Sequence, residues 1–399
     1  MRSIFDLTGR PVITAGLLAL LALSLAGCGG KGPSTSDGDS ASENAAPAAA
    51  ATQPQSAPDA DAMTQASPDT MPADAMAAGK ELPVRPIPNV PPNAEAYYAP
   101  DSLHVIAQTQ DPDALKAEGR DSGALTYTFT DTGEDIRRIN DHGQDACSYF
   151  FPDGKHLIYT STRDHMDMPI GNWSDSNNYP QGAELYIADL DGSHVKRLTH
   201  NKYYEAEVSV SPDGKWIVFG RQIDGKMDLW RMHADGSGEE QLTFTDDWQE
   251  GAPFYLPDSR TIMMRAWKRS EYGKIHPTPM TVFTVDAETK KITPRTFDHD
   301  MNWAPYPAPD GRHYVFVRVV DDNNWEVFLG DLAGGAPVRL TYNKGFDGFP
   351  SLSPDGTKML FARSTGDGFM SGLTTYVMDV SSLNLGPENW TGTVPETKH

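Results

Sequence analysis

Apolar and polar residues alternate along this chain in short runs, and one tight turn interrupts them six times. Around Pro212-Asp213-Gly214 the sequence reads Glu-Ala-Glu-Val-Ser-Val-Ser before the turn and Lys-Trp-Ile-Val-Phe-Gly-Arg after it. Period-two alternation over such a length predicts half-buried strands, and the turn between them predicts a hairpin. The phrase recurs at Pro100-Asp101-Ser102, Pro152-Asp153-Gly154, Pro257-Asp258-Ser259, Pro309-Asp310-Gly311 and Pro354-Asp355-Gly356, at spacings of 52, 60, 45, 52 and 45 residues. A period of that size marks an array whose units bury their faces on their neighbours.

Each unit continues in the same way. A third run follows, as in Glu184–Asp189, Met227–Met232 and Glu326–Asp331, and then a second glycine-bearing turn such as Asp191-Gly192 or Asp235-Gly236. A short fourth run ends Arg197-Leu-Thr, Gln241-Leu-Thr or Arg339-Leu-Thr. Asp-Gly turns suit hairpins because few residues tolerate positive φ. No stretch of the array carries helical periodicity. Four antiparallel strands per unit and six units predict an all-β, six-bladed β-propeller.

The segment ahead of the array reads differently. Arg2 and Arg10 precede an apolar run ending Leu25-Ala26-Gly27-Cys28, which predicts a secretory signal over 1–27. Residues 28–81 are rich in Ala, Pro, Ser and Asp, a composition that cannot bury enough surface to order itself, so a disordered tether is expected. The propeller is then expected over 82–399. Leu82 to Val90 carries three prolines, which confine it to an edge strand. The sequence leaves open whether this strand or the segment from Leu383 to Trp390 closes the last blade. A net charge of -22 argues against a nucleic-acid partner.

The Pro-Asp-Gly phrase, the Lys-x-Ile-x-Phe that follows it, and the later Asp-Gly and Arg-Leu-Thr together resemble the TolB-type propeller repeat of bacterial envelope proteins. The resemblance covers Asn93 to Asp379 and is closest at Pro152, Pro212 and Pro354. It implies the propeller fold and a place in the cell envelope. Where the family carries an α/β domain ahead of the propeller, a lipid anchor and a tether are expected here. The Cys28 sequence resembles the lipobox of bacterial lipoproteins, which implies a lipidated cysteine as the membrane attachment. Gly29 in place of Asp implies the outer membrane, with the propeller facing the periplasm. Similar propellers also occur in oligogalacturonate lyases and beside peptidase domains, so the fold leaves the function open.

Topology assigns the faces. The Pro-Asp and Asp-Gly turns share one face of the ring. The loops between second and third strands share the other, which holds a long insertion over 163–182 and a shorter one over 268–279. Seven residues before each proline stand Asn93, Asp145, Glu205, Glu250, Asn302 and Asp347. They are expected to ring the channel mouth on the loop face, with Glu207 beside Glu205. Asp145, Glu205, Glu250 and Asp347 would then repel one another and favour a cation, Ca²⁺ being the chemically suited one. Arg221, Arg318 and Arg363, nine residues past their prolines, and Arg265, eight past its own, are expected on the same face. They would either pair with these acids or clamp an anionic group. Trp173 and Trp267 add aromatic surface suited to a peptide or a sugar.

No Gly-x-Ser-x-Gly elbow, His-Glu-x-x-His helix or phosphate loop occurs. Cys147 is expected to be a buried thiol without catalytic work. The expectation is therefore a membrane-tethered, non-catalytic propeller that binds an envelope protein or peptide at its channel mouth. The alternative is an enzyme acting on a polysaccharide or a peptide from the same face.

Overall fold

The computed structural model describes residues 81–120, 123–321 and 324–397. The expected signal over 1–27, Cys28 and the tether over 28–81, Glu81 excepted, lie outside them. Among the described residues no helix is long and apolar enough to cross a membrane. The strands form six four-stranded antiparallel sheets. Their inner strands are Asn93–Tyr98, Asp145–Phe150, Tyr204–Val210, Trp248–Tyr255, Trp303–Pro307 and Asp347–Leu352, which open blades one to six. Blades one to five follow sequence order, inner to outer.

The sixth blade differs. Its outermost strand is Val84–Pro86, which pairs Val84 with Met378 and Pro86 with Tyr376. The start of the folded chain thus completes the last blade, in the edge position its prolines allow. The segment after Asp379 takes no strand position. It straps the turn face instead: Leu385 C=O accepts from Asp310 N–H at 3.0 Å, and Arg295 Nη1 donates to Pro395 C=O at 3.0 Å. The Trp390 ring lies so close to Gly311 that a Cβ there would meet it at 2.0 Å.

Stability comes from packing between sheets. Val218 and Leu229 of blade three meet Ile262, Met264 and Phe283 of blade four in one buried cluster. Burying each such side chain contributes roughly 1.5–3 kcal/mol relative to exposure. One departure from the all-strand pattern is a short helix, Pro112–Ala117, inserted in blade one and capped by Asp111.

The six Pro-Asp turns share one solution. Asp101, Asp153, Asp213, Asp258, Asp310 and Asp355 each accept, through Oδ1, the backbone N–H two residues on. That is an Asx turn, and it explains why aspartate recurs there.

The six inner strands share a second feature that alternation alone does not predict. Each pairing register slips just after the sixth residue before its proline, as at Ala206/Ser209 in blade three and Gly251/Phe254 in blade four. At five residues before the proline stand Glu95, Cys147, Glu207, Ala252, Ala304 and Phe349, all at φ between 48° and 55°. These are β-bulges, one per blade, each with a left-handed residue.

Beyond the bulges, rings of four blades meet across the centre of the propeller. Tyr97 lies 5.3 Å from Tyr149 and 5.5 Å from Phe254, and Phe254 lies 4.8 Å from Tyr306. Tyr149 Oη and Tyr306 Oη, from opposite blades, are 3.0 Å apart. This aromatic plug separates the loop-face cavity from the proline-lined mouth on the turn face.

Candidate functional site

A bulge reverses the alternation on its two sides, and this decides which residues reach the channel. The six residues seven before each proline do not ring an open mouth: Asn93, Asp145, Glu205, Glu250, Asn302 and Asp347 are all buried within their blades. Glu205 accepts from Arg221 Nε, which faces it across the strand pair. Asp347 accepts from Arg363 Nε at 2.8 Å, and Glu81 approaches the same guanidinium. Asn302 Oδ1 accepts from Arg318 Nε at 2.9 Å, and Asp298 completes that group. Arg221, Arg318 and Arg363 therefore serve the inside of blades three, five and six.

The remaining three positions are equally internal. Glu250 accepts from Thr245 Oγ1 at 2.5 Å, and burial, reinforced by nearby Asp228, pushes its carboxyl up to about 8. Burial lifts Asp145 to about 7 beside Ser161. Asn93 accepts from Thr375 Oγ1 of blade six. The expected Ca²⁺ set of Asp145, Glu205, Glu250 and Asp347 is thus spread over four blades. Among the described residues no three His, Cys, Asp or Glu side chains gather as a metal site.

The cavity on the loop face is built from the bulges instead. It encloses about 140 Å³. All six bulge residues line it, together with Trp173 and Tyr179 from the long insertion and Arg265, Trp267 and Tyr272 from blade four. Of the expected site residues, Glu207, Arg265, Trp173 and Trp267 come together here. Arg265, eight residues past its proline rather than nine, emerges on the channel side of its strand. Its Nη2 donates to Glu207 Oε1 at 2.8 Å across the blade three–four boundary. The guanidinium crosses Gly251, where a Cβ would stand 2.1 Å from Nη1, so this position requires glycine. Burial is the largest single influence and would pull Arg265 down, but Glu207, Tyr179 and Tyr204 together outweigh it and the guanidinium stays charged.

The cavity has two unlike walls. Glu95, Cys147 and Glu207 form one, with Gln108 beside Glu95 on blade one. Burial first, and Glu207 second, push the Glu95 carboxyl up to about 7. Burial and the same two carboxylates push the Cys147 thiol up, away from a reactive thiolate. Met301, Trp303, Trp325 and Phe349 form the apolar wall opposite. Trp173 fixes the insertion by donating from Nε1 to Gln144 Oε1 at 3.1 Å. The Tyr179 and Tyr204 rings stack at 4.1 Å. No histidine lines the cavity.

Comparison with known proteins follows the fold. The solved structure provisionally assigned to TolB from Agrobacterium tumefaciens covers 72% of this chain and 90% of its own, with a TM-score of 0.51 and 19% identity. The ring is a TolB-like propeller. An uncharacterized protein of Agrobacterium fabrum is 27% identical over 247 residues, which is 59% of this chain and 61% of that protein. The Tol-Pal system protein TolB of Francisella tularensis is 28% identical over 116 residues, 29% of this chain and 25% of that protein. The chain thus spans less than two thirds of the length of these curated relatives. No family model matches the sequence.

Glu95, Tyr97, Gln108, Tyr179, Tyr272, Trp325 and Phe349 escaped the sequence reading of the site. Counting five residues back from each turn, not seven, would have found the bulge residues among them.

Proposed function

We propose that this chain is a binding propeller of the cell envelope, held to the outer membrane through Cys28, which grips a segment of an envelope protein on its loop face. The single observation that carries this reading is the cavity, an aromatic-walled recess under the irregular loops with one buried ion pair at its base. Recesses of this kind, mostly apolar with a few placed polar groups, hold ligands in general. The raised Cys147 thiol and the histidine-free lining disfavour nucleophilic chemistry. The named TolB relative belongs to the Tol-Pal system, which supports an envelope setting.

Crosslinking in cells tests this. The full chain should capture an envelope protein that a Trp173→Ala/Tyr272→Ala variant, shown by its melting curve to be folded, does not. Equal capture by both would refute the cavity as the binding site. A second reading, an enzyme acting on a polysaccharide or a peptide, draws on the Glu95 carboxyl at about 7 beside Glu207, an acid–base arrangement. Turnover of either substrate class that vanishes in Glu95→Gln would favour it.

A further inference from the structure

The cavity carries more charge information than a docking recess needs. Its charged lining residues are Glu95, Glu207 and Arg265, two acids for one base. Glu207 and Arg265 satisfy each other through two hydrogen bonds, at 2.8 Å and 3.4 Å. Glu95 faces the cavity with no cationic side chain bonded to it; its side-chain hydrogen bonds come from two neutral groups, the Cys147 thiol and, at a long 3.4 Å, Tyr97 Oη. Two further groups are unpartnered although their residues are more than nine-tenths buried. Gln108 Oε1 has no donor, and Arg265 Nε–H has no acceptor. A buried polar atom without a partner costs free energy that a suitable ligand recovers.

These groups specify one ligand chemistry. Glu95 and Gln108 Oε1 call for a positively charged N–H donor, Arg265 Nε calls for an oxygen acceptor, and the Trp303–Phe349 wall calls for an apolar body. Trp173, Tyr179 and Tyr204 add aromatic rings to the lining, and a cation is attracted to a free ring face. We infer that the central cavity is a site for an organic ammonium group carried on an apolar body with an oxygen beside it. This rests on the cavity being a binding site, and it names what that site selects. The ammonium could arrive on a free amine or on a lysine of a bound peptide, and the chemistry is the same.

The pH dependence follows from the groups around Glu95. Tyr97 lies on its own strand, and Cys147, Tyr204, Glu207 and Arg265 face it from blades two, three and four. Burial raises the thiol and both phenols, so they stay protonated near neutrality. Glu95 is the group that must lose a proton to hold a cation, so affinity should rise as pH climbs through about 7.

Calorimetric titration of the full chain with two matched pairs tests this. One pair is phenylalaninol and N-acetylphenylalaninol. The other is a blocked pentapeptide with a central lysine and its Nζ-acetylated twin. The charged member of at least one pair should bind about tenfold tighter or more than its acetylated twin, and the pair that responds identifies the source. Glu95→Gln should erase that preference with the melting temperature held, and Gln108→Leu should weaken it. Equal binding within both pairs, or no binding at millimolar ligand by a folded chain, would overturn the inference. A preference that survives Glu95→Gln would overturn it too. A chain that still captures its protein partner while ignoring both pairs would sink this inference and leave the docking reading standing.

Discussion

Two positions in each blade repeat six times, and they repeat in opposite ways. At the Pro-Asp turn both backbone and side chain are kept, because the aspartate itself caps the turn. At the bulge five residues earlier only the backbone is kept. The left-handed kink is the same in every blade, but the side chains are Glu95, Cys147, Glu207, Ala252, Ala304 and Phe349. A turn that needs its side chain for folding cannot vary it. A bulge whose side chain points into the channel can, and in this molecule that freedom produced one acidic wall and one apolar wall. Scaffold and chemistry are separated by five residues.

The largest effect should come from the charge held at the bulges. Arg265→Met leaves the half-buried Glu207 without its charge partner, and such losses cost up to about 3–5 kcal/mol. Urea denaturation should show the midpoint falling accordingly. An unchanged midpoint would mean that water already shares the pair, and that the cavity wall is not rigid.

A pH sweep sets the buried carboxyls of the blades, Glu95 at its bulge among them, against the turn aspartates. Burial raises Glu95, Asp145 and Glu326 to about 7, Glu250 to about 8 and Asp228 to about 6. A carboxyl raised on folding contributes stability that is complete below its unfolded value and is lost as pH rises through its folded value. The melting temperature should therefore decline steadily from about pH 5 to about pH 8. Asp101, Asp153, Asp213, Asp310 and Asp355 of the turns run the other way. At Asp310 burial pushes the carboxyl up, but the His313 and backbone hydrogen bonds together outweigh it and leave it lowered. Their loss should appear only in acid. A melting temperature that rises between neutral and pH 8 would contradict the burial of the five raised acids.

The sequence made the turn side of this comparison plain and hid the other. Six Pro-Asp phrases, alternating runs and Asp-Gly turns were enough to read six four-stranded blades. The prolines of Leu82 to Val90 were enough to read an edge strand. That this strand closes the ring could not be read, because the pairing of Val84 with Met378 joins the two ends of the fold and leaves no local signal. The bulge was hidden for a different reason. A binary pattern reports which residues are apolar, and one extra residue in the strand changes which face they occupy without changing the pattern. Hence Glu205, read as a channel residue, pairs with Arg221 inside its blade, and Glu95, two residues past Asn93, went unread. Arg265 carried the one available clue, standing eight residues past its proline where the other three arginines stand nine.

On the turn side, Asp310→Ala should cost about 1–2 kcal/mol, since two backbone N–H groups and His313 lose a buried acceptor. The same change at Asp101 should cost less, because its side chain is half exposed and water replaces it. Differential scanning calorimetry of the two variants separates these outcomes. Equal losses would mean that turn geometry, not burial, sets the worth of the cap.

The smallest expected effect is the most direct probe of the bulge itself. Ala304 sits at φ 49° and carries only a methyl group into the cavity. A non-glycine residue in that region costs of order 1–3 kcal/mol, which glycine does not incur. Against this, glycine widens the unfolded ensemble by about 0.4–1 kcal/mol and gives up a methyl contact worth about 0.8 kcal/mol. Ala304→Gly should therefore leave stability within about 1 kcal/mol of the parent or raise it slightly, a result almost never seen when glycine enters a regular strand. If the variant instead loses more than that, the alanine methyl is packed rather than tolerated. The bulge side chains would then be part of the scaffold after all, and the separation of folding from chemistry along each inner strand would fail at its mildest position.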